Sequence, residues 1–202
     1  MREPDNITQV ADLYPDYMGF IFYQGSKRYV NDIDTEILNK IPSGVRKTGV
    51  FVDSSFEDIT TAINKYNLDA VQLHGSESPE LCKRLKQVGT EVIKAFGIDS
   101  DFDFTVLEKY GAVTDHFLFD TKTSLHGGSG KVFDWKVLEK YPCDKTYFLS
   151  GGLSLENIEE IQNIEDKRLY ALDINSKFEL NQGVKDFEKV KKAINYIRSK
   201  EK

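Results

Sequence analysis

Along the chain, short apolar runs rich in aromatic and β-branched residues alternate with longer segments whose apolar residues recur at helical spacing. The runs at 17–23, 48–53, 70–75, 92–97, 116–121, 147–152 and 169–175 predict strands. Helices are predicted at 6–13, 32–40, 56–66, 79–88, 101–110, 134–140, 155–163 and 185–199. Capping residues mark several starts: Asp5 or Asn6, Asp53 through Ser55, Ser78 before Pro79, and Ser154. Successive strands begin about 25 residues apart on average, room for a crossover helix between parallel neighbours. Strands that read as continuous apolar runs belong to a parallel sheet covered on both faces.

Seven strands against eight helices leave the first helix without a strand to feed it. A closed α/β barrel needs eight of each, and 202 residues is at the short end for that fold. An open doubly wound sheet tolerates seven strands, but it usually carries a Gly-rich fingerprint after its first strand, and none is present. A single domain over 1–202 is expected, and the strand count alone does not decide between the two architectures.

Composition narrows the class. With 40% hydrophobic and 12% aromatic residues the chain is too apolar to be disordered. Its 27 basic residues are scattered among 33 acidic ones, for a net charge of −6, so no basic face is offered to nucleic acid. No run approaches the roughly 18 apolar residues of a membrane span, and Met1-Arg2-Glu3-Pro4-Asp5 starts no signal peptide. A soluble, cytoplasmic chain without membrane partners is expected. Cys82 and Cys143 are expected as reduced thiols, a lone disulfide being the alternative. His74, His116 and His126 fall in separate segments without zinc-ligand spacing, so no metal site is expected.

In parallel barrels the active site forms at the carboxyl ends of the strands. Phe117-Leu118-Phe119 runs into Asp120, which puts a carboxylate at the mouth behind an apolar floor. Partial desolvation there would favour the protonated form and suit it to donate a proton; a helix cap or surface acid is the plain alternative. Arg28 can grip a substrate carboxylate with its planar fork, whereas Lys27 reads as solvated surface. Gln72 and His74 alternate toward one side of their strand and so line the mouth, unless His74 is a structural histidine. Lys94, in a buried strand, needs a partner and is expected in an ion pair inside the barrel.

Two glycine clusters call for different readings. Gly127-Gly128-Ser129-Gly130-Lys131 lacks the spacing of a nucleotide P-loop and is followed by Val132, so Gly128 and Ser129 are read as part of a mobile lid over a small substrate, or a surface turn. Gly151 and Gly152, in Ser150-Gly151-Gly152-Leu153-Ser154, end a strand and open a predicted helix, where backbone amides bind phosphate. Asn175 and Ser176 after the last strand supply the other half of that pocket, the usual place for phosphate in these barrels.

Taken in order, Gly19-Phe20-Ile21-Phe22 with Ser26-Lys27-Arg28-Tyr29, Gly49-Val50-Phe51-Val52, Val71-Gln72-Leu73-His74-Gly75, Phe119-Asp120-Thr121-Lys122, Gly127 through Trp135, Ser150-Gly151-Gly152-Leu153 and Asp173-Ile174-Asn175-Ser176 resemble the phosphoribosylanthranilate isomerases of tryptophan biosynthesis. The resemblance covers essentially the whole chain. It implies an α/β fold, a (βα)8 TIM barrel of the ribulose-phosphate-binding type, here with the first β-strand missing, and an Amadori rearrangement of an aminoaldose phosphate to an aminoketose phosphate. No cofactor is implied, because the substrate nitrogen serves as electron sink. It assigns the general acid to Asp120, the substrate-carboxylate contact to Arg28, and phosphate binding to Gly151, Gly152, Asn175 and Ser176. The last turn, Asn175-Ser176-Lys177-Phe178-Glu179, departs from the Ser-Ser-Gly-Val-Glu of many members.

A larger departure lies at the front. The family opens on a strand of the form hydrophobic-Lys-hydrophobic-Cys-Gly, whose cysteine is the general base, followed by a segment that looks like Met1-Arg2-Glu3-Pro4-Asp5-Asn6-Ile7. Neither Cys82 nor Cys143 stands in that position. The expectation is a barrel with one gap, impaired for want of its base, whose exposed strand edges invite pairing into a homodimer. The competing readings are the histidine-pathway aminoaldose isomerase, a non-catalytic phosphate-ligand-binding barrel, and indole-glycerol-phosphate synthase, for which Lys94 alone is thin support.

Overall fold

A computed structural model describes residues 1–121 and 135–200. Seven strands, β1 (Tyr17–Ile21), β2 (Arg46–Phe51), β3 (Ala70–Leu73), β4 (Glu91–Ile98), β5 (His116–Thr121), β6 (Tyr147–Ser150) and β7 (Leu169–Leu172), form one sheet in which each pairs in parallel with its neighbours in sequence. The sheet curls as a barrel does. Ala70, Ile93, Ala95, Leu118 and Phe148 pack together on its inner face. Residues of opposite parity, among them Phe20, Phe51, Val71, Leu73, Val92, Phe117 and Phe119, are buried in the larger core beneath the helices. Both faces of the central strands are therefore buried, which is why those strands read as apolar runs.

Five α-helices are present among the described residues: α1 (Pro4–Ala11), α2 (Thr35–Asn39), α3 (Phe56–Tyr66), α4 (Pro79–Gln87) and α5 (Phe187–Arg198). Ser55 and Ser78 cap α3 and α4 as expected, accepting from the backbone N–H of Asp58 and Leu81. The first helix differs: Pro4 opens it behind Glu3, and no side chain caps it. Asn6 instead is buried and exchanges two hydrogen bonds with the backbone of Lys185.

Three of the expected helices, at Phe104–Tyr110, Trp135–Lys140 and Ile158–Asn163, are short 3₁₀ segments. Their apolar spacing explains it. Phe104, Leu107 and Tyr110 recur every third residue, as do Ile158, Ile161 and Ile164, which matches the three-residue turn of a 3₁₀ helix. After β7 the chain also makes a hairpin that the pattern did not predict, β8 (Glu179–Asn181) against β9 (Val184–Lys185), turning at Gly183 with φ +85°. The helix expected from 185 accordingly starts at Phe187, capped by Asp186.

Lys94 is ion-paired, but not inside the barrel. It alternates with Ile93 and Ala95 and so lies on the helix side of β4, with Nζ 3.2 Å from Glu77 Oε2 and donating to the carbonyls of Leu73, Gly75 and Ala95. Both cysteines are free thiols, and burial in α4 pushes the Cys82 thiol up to about 11. No helix among the described residues is long and apolar enough to cross a membrane.

The sheet runs from β1 at one edge to β7 at the other, and these two strands do not pair with each other. At the amino end of the strands Tyr17 and Tyr170 approach across the gap, ring centroids 6.5 Å apart. Farther along, the gap opens into a cavity of about 770 Å3 that reaches apolar residues of the helix layer, including Val10, Ile161 and Ile194. The Met1 nitrogen donates to Gly19 O on β1 at 2.7 Å.

Candidate active site

Parallel register brings the strand ends level with one another. Asp120 on β5 is opposite Ser150 on β6, and the Asp173 N–H, just past β7, donates to Leu149 O. The result is a ring of polar groups above the apolar floor. Of the residues named from sequence, Arg28, Gln72, His74, Asp120, Gly151, Gly152, Asn175 and Ser176 all line the one 770 Å3 cavity. Gly128 and Ser129, with the lid read around them, lie outside the described residues.

Asp120 is reached by a hydrogen-bonded chain from β3. Gln72 Nε2 lies 2.9 Å from His74 Nδ1, and His74 Nε2 lies 3.3 Å from Asp120 Oδ2. With Gln72 donating to Nδ1, the ring carries its proton on Nε2 and donates to the carboxylate. A half-turn of the Gln72 amide reverses the chain, so that a protonated Asp120 donates to Nε2, the state a general acid requires. The apolar floor is in place, but 40% of the Asp120 side chain is exposed, more than partial desolvation at the mouth implied. Its position is set by His74 rather than by burial.

His74 is itself fixed from the helix side. Glu77, fully buried, accepts from the backbone N–H of Asp53 and Gly75 while pairing with Lys94, and so ties the segments just past β2 and β3 to the middle of β4, one residue beyond the histidine. The approach is close: a Cβ on Gly75 would come within 2.5 Å of Asp53 Oδ1.

Gly151 and Gly152 take left-handed φ values of +92° and +67°, which a side chain would oppose. Asn157 staples their turn, donating to Gly152 O and accepting from Ser154 N. Because the 3₁₀ segment begins only at Ile158, the glycine turn, not an α-helix terminus, is what faces the cavity here.

Two residues of the site went unrecognised in the sequence. Glu179 accepts from Arg28 Nε at 2.9 Å and from Arg28 Nη2 at 2.7 Å. Lys185 Nζ donates to Asn175 O, Asn175 Oδ1 and Glu179 Oε1 at 3.1, 2.7 and 3.4 Å. Burial lowers the Lys185 pKa, while hydrogen bonds from Arg28 and the nearby Lys185 charge hold the Glu179 carboxyl below its usual range against its own desolvation. Asp173, enclosed beside Ser150, is pushed the other way by burial, toward its neutral form. The sequence signals for Glu179 and Lys185 were the glutamate that Glu179 shares with the family's last turn and the Asn181-Gln182-Gly183 turn between the two.

Comparison with known proteins shows the family. Residues 1–196 match the sequence model of the family described as N-(5'-phosphoribosyl)anthranilate (PRA) isomerase. The N-(5'-phosphoribosyl)anthranilate isomerase of Parabacteroides distasonis is 43% identical over 199 residues, 98% of this chain and 90% of that protein. The crystal structure of phosphoribosyl anthranilate isomerase from Thermotoga maritima superposes with a TM-score of 0.83 at 33% identity, covering 98% of this chain and 96% of that one. A second solved phosphoribosyl anthranilate isomerase, in complex with reduced 1-(o-carboxyphenylamino)-1-deoxyribulose 5-phosphate, gives 0.81 at 31% identity, covering 98% and 94%.

Proposed function

Since the chain belongs to the N-(5'-phosphoribosyl)anthranilate isomerase family, we propose that its barrel mouth carries out the aldose–ketose rearrangement of phosphoribosylanthranilate with Asp120 as general acid. The observation that carries this assignment is the shared cavity. One carboxylate on a hydrogen-bonded relay, a guanidinium and two turns suited to phosphate face the same space, as a substrate with a phosphate at one end and a benzoate at the other requires.

In this scheme the phosphate rests on the Gly151–Gly152 and Asn175–Ser176 turns. Glu179 occupies the Nε/Nη2 edge of Arg28, so the substrate carboxylate meets the Nη1 edge. Asp120 gives its proton to the ribose ring oxygen. The ring opens to an iminium ion, the C2 proton is removed by a base, and the resulting enolamine tautomerises to the ketone. The substrate nitrogen takes up the electron pair, so no cofactor enters. The histidine-pathway substrate carries a second phosphate, for which the cavity shows no second pair of turns among the described residues.

The base belongs to the gap. We assign it to an eighth parallel strand in the gap between β1 and β7, beside the Met1 nitrogen that bonds the β1 carbonyl of Gly19. The family resemblance puts a cysteine at the end of that strand. Residues 1–202 on their own would then turn over about 10²- to 10⁴-fold more slowly than a chain with the strand. With the strand in place the edges are covered; without it they are open to a second copy. Titrating residues 1–202 with the reduced carboxyphenylamino-deoxyribulose phosphate tests the binding half. Saturable 1:1 binding that is lost on Arg28→Met supports the reading, and absence of binding contradicts it.

A further inference from the structure

Lys185 stands outside every role assigned so far, yet it touches both ends of the site. Its ammonium has three protons and three acceptors: the carbonyl and side-chain oxygens of Asn175, and Glu179 Oε1. Asn175 leads into the turn assigned to phosphate. Glu179 is the carboxylate that orients Arg28. The Glu179 carboxylate also accepts from the Gly183 N–H, which closes the hairpin beneath it.

The lysine is itself anchored. Its backbone N–H donates to Asn6 Oδ1 at 2.7 Å and its carbonyl accepts from Asn6 Nδ2 at 2.9 Å, on a buried residue of α1. Only 11% of its side chain is exposed, and 4% of that of Glu179. A buried ammonium with every proton engaged has one geometry available to it, so the groups it holds inherit that rigidity.

Building on the substrate assignment above, we propose that Lys185 is the positioning residue that fixes the separation between the phosphate turn at Asn175–Ser176 and the carboxylate-binding Arg28. The site thereby selects ligands by the span between a phosphate and a carboxylate. A compound bearing both groups at that span gains from the preorganisation, and a compound bearing only one gains little.

The test is a double-mutant cycle on ligand affinity, using the full chain. The reduced carboxyphenylamino-deoxyribulose phosphate and inorganic phosphate are titrated into wild type, Lys185→Met, Arg28→Met and the double variant. Lys185→Met should weaken the two-ended ligand by about 10- to 100-fold, the size of effect that small misplacements produce. In the Arg28→Met background its effect should shrink to the loss seen with phosphate alone, because the arginine it positions is gone. A general loosening of the fold would give the same loss in both backgrounds, and that result overturns the proposal. So does undiminished binding by Lys185→Met. If Lys185→Met does not fold, Lys185→Gln, which keeps a donor toward Asn175 without the charge, enters the same cycle under the same criteria. Failure of wild type to bind the two-ended ligand would instead refute the substrate assignment on which this inference rests.

Discussion

The His74 imidazole and the Asp120 carboxylate, borne on strands separated by β4, meet at 3.3 Å across the barrel mouth. The contact makes Asp120 one end of a relay whose other end is the Gln72 amide. Asp120→Asn should lower kcat by about 10²- to 10⁴-fold, the usual worth of a general acid, while leaving ligand affinity within a few fold. His74→Ala alone should cost about 10-fold, and adding it to Asp120→Asn should cost almost nothing more, because residues acting through one proton path are not additive. Steady-state kinetics of the single and double variants checks this. Multiplied losses would show that His74 acts separately.

A second prediction concerns the pair on the far side of β4. Glu77 and Lys94 expose 1% and 3% of their side chains, and Glu77 also accepts two backbone N–H groups. Removing one partner of a buried pair leaves an uncompensated charge, so Lys94→Met should destabilise by about 3–5 kcal/mol in urea unfolding. Glu77→Gln, which also weakens the tie between Asp53 and Gly75, should be at least as damaging. A loss below about 1 kcal/mol in either would mean that the pair does not hold the strand ends.

A third concerns pH. His116 stacks on Tyr170 at 4.4 Å, and its Nδ1 lies 2.6 Å from Thr146 Oγ1. Burial, with the nearby Lys145, Arg46 and Lys86 charges, depresses its pKa below 6.5 despite Asp115. As pH falls, the unfolded chain therefore takes up this proton before the folded one does. The contribution of His116 is complete above about pH 6.5 and is lost as pH falls through its lower folded value. Melting temperature should decline over that window in the wild type and decline less in His116→Gln. Asp115, Asp166 and Glu179, whose pKa values are also lowered, lose their contributions in a separate and more acidic range.

Much of this was legible in the residues themselves. All seven strands were found within a few residues, because the central ones are buried on two faces and the edge strands β1 and β7 still carry short apolar runs. Strand-end position singled out Asp120, His74 and the Gly151–Gly152 and Asn175–Ser176 turns as candidates, and the structure places them in one cavity. What escaped notice depended on contacts between distant segments. Arg28 and Glu179 are 151 positions apart, and Asn6 and Lys185 are 179 apart. Beyond the match of Glu179 to the family's last turn, nothing local to Glu179 or Lys185 distinguishes them from surface residues of a polar hairpin. The 3₁₀ segments were a different kind of miss. Their three-residue spacing was present in the sequence but was read as a helical period.

The most direct test of the account is isomerase turnover on freshly generated phosphoribosylanthranilate, comparing residues 1–202 with the same chain preceded by an extended segment ending hydrophobic-Lys-hydrophobic-Cys-Gly before Met1. The account predicts that the extended chain is faster by at least about 10²-fold and that changing its cysteine to alanine removes the gain. Equal turnover by the two chains would contradict it, since a strand added at the gap between β1 and β7 would then bring no base.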